Sequence, residues 1–207
     1  MQKRPLKTEQ VQDQVIHPFG PSILVTSVND KVLKLLKQSA EASRSLGEEK
    51  NVHKRLVATM EHEYELGFDE WDGQYIMDYL VSKMKEYYRK TSINESAKLL
   101  SAQLGPLWVN YTYANDFNPM HIHTAELSYI IYIDIPDNIR NEYETEHSQV
   151  RGIIEFMNNN SQIKMVPKTG DMFIFPSDVF HTVYPFTEDG CRISVAGNVY
   201  NLDVNYG

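Results

Sequence analysis

Five side chains in the second half of this sequence have the types and spacing to do chemistry: His121, His123, His181, Arg192 and Ser194. The first two sit two apart in Asn118-Pro119-Met120-His121-Ile122-His123. In an extended segment, residues i and i+2 point to the same side, so both imidazoles can face one cavity. An isolated His-x-His also fits two hydrogen-bonded histidines beside a turn. What favours a shared site is His181, which follows Phe175-Pro176-Ser177 beyond a Gly170-Asp171 turn in an apolar strand region. Three imidazoles, or two plus a carboxylate, suit a divalent iron, zinc or nickel ion with open positions, and spacing alone does not choose among them.

Arg192 stands in Arg192-Ile193-Ser194-Val195-Ala196, a segment otherwise suited to burial. On strand periodicity Arg192 and Ser194 share a face. A guanidinium beside a hydroxyl is a natural clamp for a small carboxylate. The plainer alternative is an arginine at a strand start that reaches water or a structural ion pair.

The elements that must position these groups read as helices first, then strands. Residues 1–15 are polar; His17-Pro18-Phe19-Gly20-Pro21 is turn chemistry, and Ile23-Leu24-Val25-Thr26 is a short β-prone run. Asn29 or Asp30 can cap a helix carrying Val32, Leu33, Leu35 and Leu36; residues 39–54 read as a loop or exposed helix end, and 56–66 are ambiguous. An amphipathic helix is expected from Glu70 to Arg89, with Ile76, Met77, Leu80, Val81, Met84 and Tyr88 on one face. A second helix is expected over Ile93 to Gln103, ended by Gly105-Pro106.

After residue 105 the period drops to about 2. Strands are expected at Leu107–Tyr113, Glu126–Ile135, Gly152–Met157, Met172–Phe175, Thr182–Tyr184 and Arg192–Val199. Spacers rich in turn residues separate them at Ala114–Asn118, Pro136–Ser148, Asn158–Ser161 and Thr187–Gly190. This order argues for an α+β domain with a β-sandwich or barrel. We read residues 1–207 as a single domain, with 1–105 as helical support and first strand and 106–200 as the β core.

The bulk numbers narrow the function. The chain has 207 residues and a net charge of −8, which makes a nucleic-acid backbone a poor partner. The best basic run, Lys83, Lys85, Arg89 and Lys90, reads as a solvated helix face. The lone cysteine, Cys191, allows neither an intramolecular disulfide nor a thiolate zinc cage. No signal-peptide pattern and no apolar run of about 18–20 residues is present, so no membrane partner is expected and the default location is the cytoplasm, or a host's cytoplasm for a phage-encoded chain. A homodimer through an open sheet face is compatible with the sequence.

The order His-x-His, then His, then Arg-x-Ser about a dozen residues later resembles the iron(II)/2-oxoglutarate-dependent oxygenases. The resemblance is nearest to the small prolyl-hydroxylase-like oxygenases of bacteria and cyanophages. It rests on Trp108-Val109-Asn110, Asn118 through His123, Ser128-Tyr129-Ile130-Ile131-Tyr132, Gly170 through Phe175-Pro176-Ser177, His181, Arg192-Ile193-Ser194 and Asn198. It implies a double-stranded β-helix (a jelly roll, cupin-like) with supporting N-terminal helices, Fe(II) as cofactor and 2-oxoglutarate and dioxygen as cosubstrates. It further implies hydroxylation of a C–H bond in a peptide, protein or small molecule. By the same resemblance His121 and His181 would ligate iron. Arg192 and Ser194 would hold the far carboxylate of 2-oxoglutarate, Tyr113 and Tyr132 would reach the cosubstrate, and Asn118 and Asn198 would support the ligands.

One departure matters. The family pattern has a carboxylate where this chain has His123. Either His123 ligates, or Glu126 swings in to give a cupin-like set, or His123 does not ligate and a position stays free; Asp116 is a more distant candidate. A neutral ligand in place of an anion leaves more positive charge at the metal and changes its redox poise. Ile130, Phe173 and Val195 are candidate cavity wall, and the loops Ala114–Met120 and Pro136–Ser148 candidate covers. The alternatives are a cupin-like metal enzyme that does not use 2-oxoglutarate and a non-catalytic jelly-roll binding module. The Arg192-x-Ser194 pair separates the oxygenase from both.

Overall fold

The computed structural model describes residues 13–16, 20–47, 51, 62–92, 98–142 and 150–205. Expectations placed on 1–12, 17–19, 48–50, 52–61, 93–97 and 143–148 lie outside these residues. In chain order the elements are Gln14–Ile16 (β1), Ile23–Ser27 (β2), Asp30–Ser45 (α1), Glu63–Glu65 (β3) and Glu70–Thr91 (α2). Then come Lys98–Thr112 (β4), Asn118–His121 (β5), Leu127–Asp134 (β6), Asp137–Glu142 (α3), Ile154–Asn158 (β7), Ser161–Met165 (β8), Asp171–Pro176 (β9), Phe180–Val183 (β10) and Arg192–Asn205 (β11).

The strands form two antiparallel sheets. The larger has the order β1-β2-β9-β6-β11-β4-β3 and the smaller β5-β10-β7-β8. This is the expected double-stranded β-helix. Period-2 alternation gives the larger sheet two different faces. Tyr129, Ile131 and Ile133 of β6, Met172 and Ile174 of β9, and Val195 and Val199 of β11 pack with the helices. Ile130 and Tyr132, and Phe173 and Phe175, point the other way and meet Ile154, Phe156 and Val183 of the smaller sheet.

The helices are placed by their caps and stripes. Asn29 accepts the Val32 N–H at 2.8 Å and starts α1; Asp69 accepts the Asp72 N–H at 2.9 Å and starts α2. Val32, Leu36 and Ala40, and Ile76, Leu80 and Met84, recur at i+4 and are buried against the larger sheet. The expected basic run is largely ion-paired: Glu86 contacts Lys83, Arg89 and Lys90, and Asp13 takes Lys90 at 3.2 Å. Among the described residues no helix is long and apolar enough to cross a membrane.

Several local expectations are corrected. Residues 98–103 are strand, not helix, because they pair with the long tail of β11, Leu104 facing Val199 and Leu99 facing Val204. Pro106, expected to stop a helix, falls at the register shift opposite Gly197–Val199, where its missing N–H breaks no ladder bond. Val195 lies on the helix side of the sheet rather than in the cavity wall. The spacer after Ile135 contains α3, and Ser161–Met165 is a strand the sequence pattern did not show. The first hundred residues also contribute β1, β2 and β3 to the larger sheet, more than support and a first strand.

Candidate metal centre

The smaller sheet brings the histidines together by register. β10 pairs β5 with His181 opposite His121, so two residues sixty apart in sequence become cross-strand neighbours. Their ring centroids stand 4.2 Å apart; His123 lies 4.8 Å from His121 and 5.2 Å from His181. One ring nitrogen from each lies within 4.8 Å of the others. The His123 N–H donates to the Ser177 carbonyl at 2.9 Å, which ties the end of this histidine segment to the turn before β10.

Two of the rings are oriented by the backbone. Nδ1 of His121 lies 2.7 Å from the Pro119 carbonyl and Nδ1 of His181 lies 3.0 Å from the Val179 carbonyl. A carbonyl only accepts, so each Nδ1 carries the proton and each Nε2 lone pair is left free. Burial, helped by the neighbouring histidines, holds His181 down at about 3; burial and the charge of His121 hold His123 at about 4. Burial lowers His121 too, against the Pro119 hydrogen bond. The set is therefore three neutral imidazoles at neutral pH, the form that ligates a metal. The donor set fits Fe(II) and, by chemistry alone, zinc or nickel as well.

Arg192 starts β11 on the inner face and is only 1% exposed. Its Nη1 donates to the Gly152 carbonyl at 3.0 Å, and its guanidinium lies 5.2 Å from the centre of the Phe186 ring. Among the described residues no carboxylate forms an ion pair with it. Burial pulls its pKa down, opposed by Tyr132, Cys191 and Asp116. Tyr132 is fully buried, its hydroxyl has no hydrogen-bond partner, and burial pushes it up to about 12. Ser194 faces Tyr132 across the sheet and is buried. A buried cation without a carboxylate, beside an unpartnered phenol and a serine, fits a small dicarboxylate such as 2-oxoglutarate.

Other expected residues fall elsewhere. Tyr113 is corrected: it follows Tyr111 onto the helix side of the sheet, where its hydroxyl takes a 2.7 Å hydrogen bond from Arg44 and its ring meets His62. Glu126 is exposed and stands outside the histidine cluster, while its backbone bonds Val199 and Ser177; His123, not Glu126, is the third member. Asp116 accepts the Tyr113 N–H and closes a turn instead of joining the cluster. Asn118 lines the cavity. Asn198 accepts from Ser128, whose hydroxyl also meets Ser177, a buried relay below the cavity.

The cavity has a volume of about 130 Å³. Its lining adds Glu63, Trp108, Asn110 and Ser128 to the expected residues. Trp108 and Asn110 stood in a quoted motif without a role, and their strand period would have placed them inward. Glu63 gave no signal in sequence, since its neighbours 56–66 show no clear period.

Residues 106–198 match the family model described as "Putative 2OG-Fe(II) oxygenase", somewhat under half of the chain. A search of curated protein sequences finds no match. Among solved structures the chain is similar to a prolyl-4-hydroxylase from Pseudomonas putida, with TM-score 0.57, 14% identity, and 86% of this chain and 92% of that chain covered. It is similar to a viral collagen prolyl hydroxylase from Paramecium bursaria Chlorella virus-1, solved with 2-oxoglutarate, with TM-score 0.54, 12% identity, and 90% and 94% covered. It is also similar to a non-heme, α-ketoglutarate-dependent epimerase of nogalamycin biosynthesis, with TM-score 0.56, 13% identity, and 88% and 78% covered. At such identities the likeness establishes the shared double-stranded β-helix. The family match and the histidine cluster add the chemistry, and together they point to an Fe(II)- and 2-oxoglutarate-dependent oxygenase.

Proposed function

We propose that His121, His123 and His181 hold Fe(II), that Arg192, Ser194 and Tyr132 bind 2-oxoglutarate, and that the enzyme hydroxylates a C–H bond of a peptide, protein or small-molecule substrate. The observation that carries this reading is the buried Arg192 at the start of β11, which no carboxylate pairs among the described residues, close to the buried Ser194 and the unpartnered Tyr132 hydroxyl. A metal site alone has no use for that cation. When bound, the iron and 2-oxoglutarate supply the oxidation: one oxygen atom of O2 enters the cosubstrate, which leaves as succinate and CO2, and the other enters the substrate C–H bond.

The chain's own residues do the positioning. Pro119 and Val179 fix two imidazoles so that both Nε2 atoms converge. Arg192 fixes the far end of the cosubstrate, and Phe156, Phe173, Phe175 and Ile130 keep the floor apolar. A prolyl or other peptidyl substrate enters by analogy with the two hydroxylases, and the epimerase warns that the same fold hosts other outcomes at a C–H carbon. The reading keeps the cytoplasmic setting expected above, whose reducing poise maintains ferrous iron and the lone Cys191 thiol.

The test is an anaerobic titration of the Fe(II) protein with 2-oxoglutarate, following the visible metal-to-ligand charge-transfer band. A band in wild type that needs at least about 30-fold more 2-oxoglutarate in Arg192→Ala supports the reading. Loss of iron from His123→Ala supports three histidine ligands. Iron binding without a band, and no effect of Arg192→Ala, identifies instead a cupin-like metal enzyme that does not use 2-oxoglutarate. No iron at all leaves a jelly-roll binding module.

A further inference from the structure

Six buried side-chain oxygens have no hydrogen-bond partner among the described residues, and four of them belong to residues that line one cavity: Oε2 of Glu63, Oδ1 of Asn110, Oδ1 of Asn118 and the hydroxyl of Tyr129. It is the cavity that the histidines line. Glu63, Asn110 and Asn118 contribute a carboxyl oxygen and two amide carbonyls, which accept, and Tyr129 a hydroxyl that accepts or donates. The Glu63 carboxylate accepts through either oxygen, so its part in the site does not depend on which way the two amides face.

Glu63 is only 1% exposed, and among the described residues no lysine or arginine pairs with it. Burial pushes its carboxyl up to about 7. Leaving a buried acceptor unmatched costs about 1–3 kcal/mol, more for a charged one. A leucine at this edge strand would avoid that cost, so the carboxyl is a poor packing choice and a good recognition choice.

Register shows how the inner face of the larger sheet is polarised. Glu63 faces Asn110, Asn110 faces Ser194, and Ser194 faces Tyr132, one row of polar side chains across the inner face from β3 to β6. Arg192 sits two residues before Ser194, so the face is cationic beside the far end of this row. Glu63 makes the opposite end anionic and rich in acceptors. A carboxylate cosubstrate belongs at the first end and is repelled by the second. What the second end lacks, among the described residues, is a cation to match the Glu63 carboxylate.

We propose that Glu63, with Asn110 and Asn118, forms the primary-substrate subsite and selects a substrate carrying a cationic nitrogen with N–H bonds near the carbon to be oxidised. This rests on the oxygenase reading for the words "primary substrate", while the donor preference of the pocket stands on Glu63 and the two asparagines alone. One N–H bond goes to each of the three oxygens, and the charge pairs with the Glu63 carboxylate in a site shielded from water.

The chain has two tryptophans, and Trp108 lines the cavity while Trp71 is 85% exposed on α2. In a Trp71→Phe background the fluorescence of Trp108 therefore reports on the site. The protein, loaded anaerobically with Fe(II) and 2-oxoglutarate, is titrated with propylammonium, propanamide and propionate, and the titrations are repeated without iron and cosubstrate. The expected result is propylammonium binding at least about tenfold tighter than propanamide, with no response to propionate, and a preference that shrinks to under about threefold in Glu63→Gln. Equal response to propanamide or propionate overturns the proposal, as does a preference that survives Glu63→Gln. No response to any probe up to its solubility limit also overturns it. Failure of the oxygenase reading shows separately: the charge-transfer band is then absent in wild type, whatever the amine titration gives. A band with no ammonium preference sinks the donor pocket and leaves the oxygenase standing.

Discussion

The two faces of the larger sheet are made by the same strands and could hardly differ more. On the helix side, Ile131, Ile133, Met172, Ile174 and Val195 meet Leu36, Ile76, Leu80 and Met84, an apolar interface with few polar atoms. On the inner side the alternate residues include Glu63, Asn110, Ser194, Tyr132 and Arg192, all buried, and three of these carry an unpartnered oxygen. The helix side leaves only the hydroxyls of Tyr111 and Tyr129 without a partner among the described residues, whereas the inner side also buries a carboxylate and a guanidinium, charges that a ligand would match. A period of two lets one strand serve both purposes, and sets stability against function residue by residue.

The largest expected effect breaks the helix side. Leu80→Ala removes a fully buried side chain between α2 and the sheet and should cost about 2–5 kcal/mol in denaturant unfolding. The 2-oxoglutarate affinity of the remaining folded protein should hardly change. Arg192→Met should do the reverse. It removes a buried cation that no carboxylate pairs among the described residues, so stability without cosubstrate should rise or hold, while cosubstrate affinity falls by about 2–5 kcal/mol equivalent. A large loss of stability in Arg192→Met would show that the arginine serves the fold.

Next comes a pH effect of the inner face. Burial raises Asp171 from 3.8 to about 6, against the Lys168 backbone N–H and charge. The folded state thus holds this proton more tightly than the unfolded chain. Below about pH 4 both states are protonated and nothing is lost. As pH rises through about 6 the folded state must ionise a buried acid, so stability falls, by at most about 3 kcal/mol. Glu63, raised by burial to about 7, extends the fall in the same direction. Urea midpoints between pH 4 and 8 should show the decline, and Asp171→Asn should remove its lower limb. A smaller effect tests the helix face. A methyl on Gly197 would run into the Tyr129 hydroxyl and ring. Gly197→Ala should therefore cost about 1–3 kcal/mol in thermal unfolding, with Tyr129→Phe relieving only part of it.

Much of this was legible before any coordinates. The His-x-His pair, His181 and the Arg-x-Ser pair announce themselves by type and spacing, and the strands that carry them alternate cleanly. Tyr113 was named by resemblance alone; it lies an odd number of residues from Asn110 and packs on the helix side of the sheet. Leu99 to Gln103 misled because local pattern suits a helix, while pairing with the distant end of β11 decides otherwise. Glu63 was invisible for a related reason. A three-residue edge strand has no period to read, and only its pairing with Asn110 turns it inward.

The front histidines hang on a fragile support. β5 is four residues long, lies at the edge of its sheet, and is held to β10 at two registered positions with a shift between them. An ion shared by His121 and His181 would act as a clasp across that seam, closing a loop of some sixty residues. Amide hydrogen exchange at Met120 and His121 should then report the clasp directly. Their protection should rise when the ion is added and fall when it is chelated, while the amides of β6 and β9 in the middle of the larger sheet keep the protection of global unfolding in both states.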